Sequence, residues 1–150
     1  MSQSLSNVVV HVVFSTKGRA PLITADLKDR LHAYTGGILR SLRCVPIEIG
    51  GMPDHIHILT RLHPTVALAK MLQVSKSKSS GWMSDQIGKP RSFGWQNGYG
   101  AFSVSEQNVE KVRRYIANQE EHHKKVSYQD EYRAMCKKGK VVIDERYVWD

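Results

Sequence analysis

The chain has 150 residues, 41% of them hydrophobic, which suits one domain with a real core. Lys and Arg number 22 against 14 Asp and Glu, a formal net charge of +8 that favours a polyanionic partner: nucleic acid, an anionic membrane or an acidic protein. Cys44 and Cys136 lie far apart without CxxC spacing, which excludes a disulfide framework and a cysteine zinc site. No apolar run approaches the ~20 residues that span a bilayer.

"NVVVHVVFS" (7–15) is β-branched and nearly continuous, the pattern of a central strand covered on both faces. No basic leader precedes it, so a cytoplasmic location is expected, in keeping with the cysteine usage. From Thr24, a candidate N-cap, Leu27, Leu31, Tyr34, Ile38 and Leu42 mark one face of a helix. "CVPIEIGGMPDHIHILTRL" (44–62) predicts two strands around a turn, the first at an edge or starting at Pro46. In the second, Ile56, Ile58, Thr60 and Leu62 share one face, and His55, His57, Leu59 and Arg61 the other. "PTVALAKMLQVSKSKSSGWM" (64–83) predicts a helix that turns basic and serine-rich toward its end. "SFGWQNGYGAFSVS" (92–105) ends in a strand-like run. Ser105 can then cap a helix over 106–125 that buries Val109, Val112 and Ile116. The remaining 127–150 form a tail with no assigned role, inside a single domain over 1–150. Strand–helix–strand followed by strand–helix–strand predicts an α+β, ferredoxin-like sandwich. Its helices would lie mainly on one face of an antiparallel sheet, with the other face free for a partner.

His55 and His57 are the candidate chemistry. Residues i and i+2 on a strand project from one face ~7 Å apart, at ~3.3 Å per residue. Two imidazoles so placed can converge on one metal ion or stand solvated on an open sheet. The 106–125 helix offers a further ligand. Tyr115 and Gln119, four residues apart, share its face at the shoulder of the buried stripe. Gln119 carries a carbonyl oxygen suited to a hard divalent cation, and Tyr115 would set a phenol beside it. Each also has a plainer reading, as a packed ring and a solvated amide.

"PDHIHIL" followed by "RRYIANQEEHH" resembles the HUH-type single-tyrosine transposases, small enzymes of bacterial insertion sequences that move as single-stranded DNA. "GWQNGYGAFSVS" and "FSTKGR" look like further blocks of that family, and the resemblance runs over roughly residues 8–147. It implies that His55 and His57 are the metal-binding pair, Tyr115 the nucleophile and Gln119 the third ligand, with Mg2+ or Mn2+ as cofactor. It further implies cleavage and rejoining of DNA at hairpin-bearing ends through a 5′-phosphotyrosine. One tyrosine per chain, with exchange between two sites, suggests a homodimer, whose sites could be shared between chains or built within each. The alternative is a non-catalytic or domesticated binder of nucleic-acid hairpins.

The basic residues fit such a partner. Lys76, Lys78, Lys89 and Arg91 could track a phosphate backbone, as could Arg113 and Arg114 beside the tyrosine, and Lys17 and Arg19 in "TKGR". Trp82, Phe93, Trp95 and Tyr99 could stack on unpaired bases, though core packing is expected for at least half of them. A surface role is expected for His122 and His123.

Overall fold

The computed structural model describes residues 2–150. Its first half runs β1 (Val9–Ser15), α1 (Ala25–Ser41), β2 (Val45–Met52), β3 (His55–Arg61) and α2 (Leu68–Ile87). The second half runs β4 (Gly100–Val104), α3 (Val109–Ala117), α4 (Gln119–His123) and α5 (Tyr128–Lys138). The strands form one antiparallel sheet in the order β2-β3-β1-β4. That order, with α1 and α2 as crossovers, is the βαββαβ arrangement read from the sequence.

β1 is central and every residue in it is buried, as its unbroken β-branched run requires. β2 is an edge strand. Pro46 therefore removes no internal hydrogen bond, and the register slips between Pro46 and Glu48.

The two long helices pack on one face. Val10, Val12 and Phe14 of β1 and Ile56 and Ile58 of β3 meet Leu27, Leu31 and Leu39 of α1 and Met71, Leu72 and Met83 of α2. The opposite face is not left free for a partner. Val9 and Leu59 meet Val109 and Ile116 of α3, and Val13 meets Tyr128, Tyr132 and Cys136 of α5. The segment 127–150, which had no assigned role, thus contributes a helix to this second layer. Ser127 starts it as an N-cap, its hydroxyl accepting from the Asp130 N–H at 3.2 Å.

Two helices differ from their expected bounds. α2 starts four residues later than Pro64, because His63–Thr65 forms a turn closed by the Thr65 N–H on His63 Nδ1. It stops at Gly88, whose φ of +71° suits a residue without a Cβ. The helix expected over 106–125 breaks in two at Asn118, where φ/ψ of −106°/29° interrupts the ladder between Tyr115 and Gln119. At the β2–α3 contact Gly50 lets the backbones touch: a Cβ there would overlap the Ile116 carbonyl. No helix among the described residues is long and apolar enough to cross a membrane.

Candidate metal centre and tyrosine site

The site lies on the α3–α5 face of the sheet. Strand alternation aims His55 and His57 of β3 and His11 of β1 into it, and burial leaves the first two 1% and 0% exposed. Gln119 and His123 come from the ends of α4, and Glu131 from the first turns of α5. One ligand atom each from His55, His57, His123 and Glu131 lie within 4.8 Å of one another.

The hydrogen bonds sort the ring nitrogens into two sets. On the outer side, Nδ1 of His55 meets Asp54 Oδ1 at 2.7 Å, and Nδ1 of His57 meets His11 Nε2 at 2.8 Å. Nδ1 of His123 meets the Val126 carbonyl at 2.8 Å. On the inner side every Nε2 points at oxygen: His57 at Glu131 Oε1 (3.0 Å), His55 at Gln119 Oε1 (3.1 Å), His123 at Gln119 Oε1 (2.9 Å) and Glu131 Oε1 (3.3 Å). The carboxylate of Asp54 and the carbonyl of Val126 can only accept, so Nδ1 carries the proton in His55 and His123. A ring whose proton sits on Nδ1 alone turns an Nε2 lone pair toward these oxygens. A cation at their centre relieves that crowding of lone pairs.

Burial opposes the protons. It pulls His57 below the usual imidazole value, despite the Glu131 carboxylate, and does the same to His123. Burial alone would raise the Glu131 carboxyl. A proton shared with His57 Nε2 and the Tyr115 hydroxyl, with the nearby imidazoles, hold it well below the carboxylate range instead, and a bound ion would take the place of the proton shared with His57. Neutral imidazoles around an ionised carboxylate are the protonation state a divalent cation requires.

Tyr115 stands at the edge of this cluster. Its ring meets His57 edge-on with centroids 5.9 Å apart, its hydroxyl donates to Glu131 Oε2, and His122 Nε2 lies 3.3 Å from the same hydroxyl. Burial, then the Glu131 carboxylate, push the phenol above its ordinary value, so it stays protonated here. Beyond it opens a cavity of about 460 Å3 lined by Lys111, Arg114, His122 and Lys125. All of these groups belong to one chain. Within one chain Tyr115 thus packs on the histidines of its own sheet.

The sequence-marked residues divide accordingly. His55, His57, Tyr115 and Gln119 come together. Arg114, largely exposed beside the tyrosine, donates to Glu110 at 3.3 Å, and Arg113 makes a closer two-point contact with the same carboxylate at 2.8 and 2.6 Å. The other basic residues lie elsewhere. Lys76 donates to the carbonyls of Gln96, Asn97 and Gly98, so its three donors pin that loop and leave none for a phosphate. Burial lowers its amine to about 8. Lys17 borders the adjoining groove, Lys89 and Arg91 flank the start of α1, Arg19 sits in the short turn after β1, and Lys78 is exposed on α2. Phe93 and Trp95 are core residues, whereas Tyr99 is 37% exposed and Trp82 stacks on Tyr34.

Glu131 and His11 were not singled out from the sequence. His123 was expected at the surface, but its side chain is only 8% exposed and joins the cluster, because the break at Asn118 turns α4 toward His55. His11 could have been found by asking of "VVVHVV" what was asked of "HIH". Glu131 had no local signal at all.

Comparisons with known proteins identify the family and the fold. The profile of a family described as "Transposase IS200 like" matches residues 4–119. No curated protein matches the sequence. Among solved structures, a putative transposase from Deinococcus radiodurans R1 is similar at 21% identity and a TM-score of 0.63, over 79% of this chain and 98% of that one. A REP-associated tyrosine transposase bound to a REP hairpin is similar at 13% identity and a TM-score of 0.59, over 84% of this chain and 76% of that one. At those identities the likeness establishes the fold alone. The family profile spans most of the sequence, from before β1 through the site's tyrosine to Gln119, and the chain belongs to the IS200-like transposase family.

Proposed function

We propose that this transposase cleaves and rejoins single-stranded DNA at hairpin-bearing ends, with Tyr115 as nucleophile beside a divalent metal held by His55, His57, His123 and Glu131. Gln119 Oε1 adds a neutral oxygen to that set. The observation that carries the reading is the position of the Tyr115 hydroxyl. It lies between a buried cluster of converging lone pairs and a cleft lined by Lys111, Arg114 and Lys125.

The residues fit a metal by the chemistry of their donors. Three imidazoles with one carboxylate form a nitrogen-rich set, which favours a transition-metal ion such as Mn2+ over Mg2+. A metal bound there supplies Lewis-acid polarisation of a phosphate and stabilises charge on a departing oxygen. The remaining steps belong to the chain. Lys111, Arg114 and Lys125 hold the DNA backbone against the tyrosine. The phenol oxygen attacks phosphorus, its proton passing to Glu131 Oε2 or His122 Nε2, the two acceptors at that oxygen. The P–O3′ bond breaks, leaving a 5′-phosphotyrosine and a 3′-hydroxyl that takes up a proton. Because a phenol, with a pKa of ~10, leaves far more readily than an alkanol, attack by another 3′-hydroxyl reverses the step without ATP. The hairpin-bound relative supports a hairpin as the recognised element. Two chains working as a homodimer would bring two tyrosines to the two ends, each in its own site.

Incubation with a single-stranded oligonucleotide carrying a hairpin, plus Mn2+, tests the proposal. The expected product is a protein–DNA adduct that survives denaturing electrophoresis. Tyr115→Phe should abolish the adduct while leaving hairpin binding intact. Hairpin binding without any adduct from the native chain would favour the non-catalytic binder.

A further inference from the structure

β1 is otherwise a row of Val, Phe and Ser, yet it places an imidazole at position 11, only 6% exposed. A valine there would match Val9 and Val13, which point to the same face. An imidazole costs more to bury than an aliphatic side chain and is retained in such a place when something holds it. What holds it is His57: His11 Nε2 lies 2.8 Å from His57 Nδ1, with ring centroids 5.1 Å apart and planes tilted by 31°. His11 Nε2 has no other hydrogen-bond partner among the described residues, and its ring lies edge-on to Tyr115 with centroids 6.4 Å apart.

The other two histidines of the cluster show what this contact does. Asp54 takes the Nδ1 proton of His55, and the Val126 carbonyl takes that of His123, so both rings turn Nε2 inward. His57 has neither a carboxylate nor a carbonyl on its outer nitrogen; it has His11. A neutral imidazole can accept at one nitrogen while keeping its own proton on the other. His11 can therefore take the same part for His57.

We propose that His11 is a positioning residue for the metal centre: its Nε2 accepts from His57 Nδ1–H, fixing the tautomer and ring plane that direct the His57 Nε2 lone pair at the ion. This inference rests on the metal reading above. His11 touches neither ion nor DNA, and acts only through His57. Partners of this kind commonly change metal affinity ~10–100-fold when removed. Without an acceptor at position 11, His57 is free to place its proton on Nε2 and donate it to Glu131 Oε1, a bond that competes with the ion.

The test compares native protein with His11→Leu and His11→Gln. Leucine fills the space and removes the acceptor, whereas glutamine keeps a side-chain oxygen. Mn2+ affinity, read as the loss of the free-ion paramagnetic resonance signal, should fall ~10–100-fold in His11→Leu and stay within a few-fold of native in His11→Gln. Saturating Mn2+ should restore adduct formation in the leucine variant, which a merely misfolded protein would not allow. In native protein loaded with Zn2+, nitrogen-15 NMR of the imidazoles should show His57 bound through Nε2 and His11 unprotonated at Nε2, the state in which it accepts from His57 Nδ1–H. Equal Mn2+ affinity in all three proteins, or a His11 that carries its proton on Nε2 in the loaded native protein, overturns the role of His11. The NMR arm needs no variant, so it can overturn the role even if His11→Leu fails to fold. Native protein that binds neither Mn2+ nor Zn2+ overturns the metal reading itself, a result distinct from equal affinities.

Discussion

On one face of the sheet Val10, Val12, Phe14, Ile56 and Ile58 meet α1 and α2 in an apolar layer. On the other, His11, His55 and His57, one position along the same strands, meet α3, α4 and α5 around Glu131. The same two strands thus carry packing on one side and a cluster able to hold a metal ion on the other. A one-residue slip of register would exchange them, aiming imidazoles into the apolar core. The long helices and the broad apolar cluster fix that register, so the stable face sets the geometry of the reactive one.

The sharpest way to break the comparison is to disable the reactive face in two different chains. Tyr115 packs on His57 of its own chain, and if that pairing is the working one, mixing His57→Ala with Tyr115→Phe under conditions that exchange subunits should restore no adduct, since every site then carries one defect. Recovered adduct on the His57→Ala chain would show that tyrosines swap between chains. Next in size is damage to the stable face. Leu31 is fully buried, and Leu31→Ala should cost about 2–5 kcal/mol in chemical denaturation. Metal binding by the protein that remains folded should persist, since Leu31 belongs to the apolar layer alone.

Acid should act on both layers, through His11 on the reactive face and His32 on α1. Burial lowers His11 to about 3, and burial with the charge of Lys28 lowers His32 to about 4, both from an ordinary 6.5. The unfolded chain takes up these protons below about pH 6.5 and the folded chain does not. The stability they contribute is thus complete above that pH and is lost as pH falls toward 4 and 3. Glu131, also lowered in the folded state, adds a loss below the ordinary carboxylate range. Melting temperatures of metal-free protein should decline across pH 6.5 to 4, and His32→Gln should flatten part of the decline. An unchanged slope would show that His32 takes its proton without unfolding. The smallest effect is on DNA affinity. Lys111→Ala with Arg114→Ala should reduce the salt dependence of single-strand binding by ~0.7 in log–log slope per lost phosphate contact. Lys78→Ala, on the α2 side, should change it less. The reverse order would place the DNA along α2.

The sequence revealed the reactive face where its spacing is local. His55 and His57 alternate on a strand, and the resemblance to HUH-type transposases tied them to Tyr115 and Gln119. The sheet order followed from two strand–helix–strand units. The rest depended on long-range packing. Glu131 reaches His57 across 74 positions of sequence, and nothing in "SYQDEYRAM" distinguishes that carboxylate from Asp130 beside it, which faces outward to Arg133. Only the seating of Tyr128 and Tyr132 against Val13 turns Glu131 inward. The break at Asn118 was equally hidden, because the apolar stripe of α3 ends at Ile116 and leaves α4 without a period to read.

The late position of α5 in the chain also has a consequence in time. Synthesis releases β1, β3 and Tyr115 before Glu131, and domains begin to fold from their N-terminal side at ~5–20 residues per second. A nascent chain that has closed its sheet holds histidines and a phenol but not the acid that completes the four-ligand cluster. On the proposed reading, the four-ligand cluster comes together only once α5 has been made and has docked, so the emergence of α5 sets the moment at which the chain can first take up its ion.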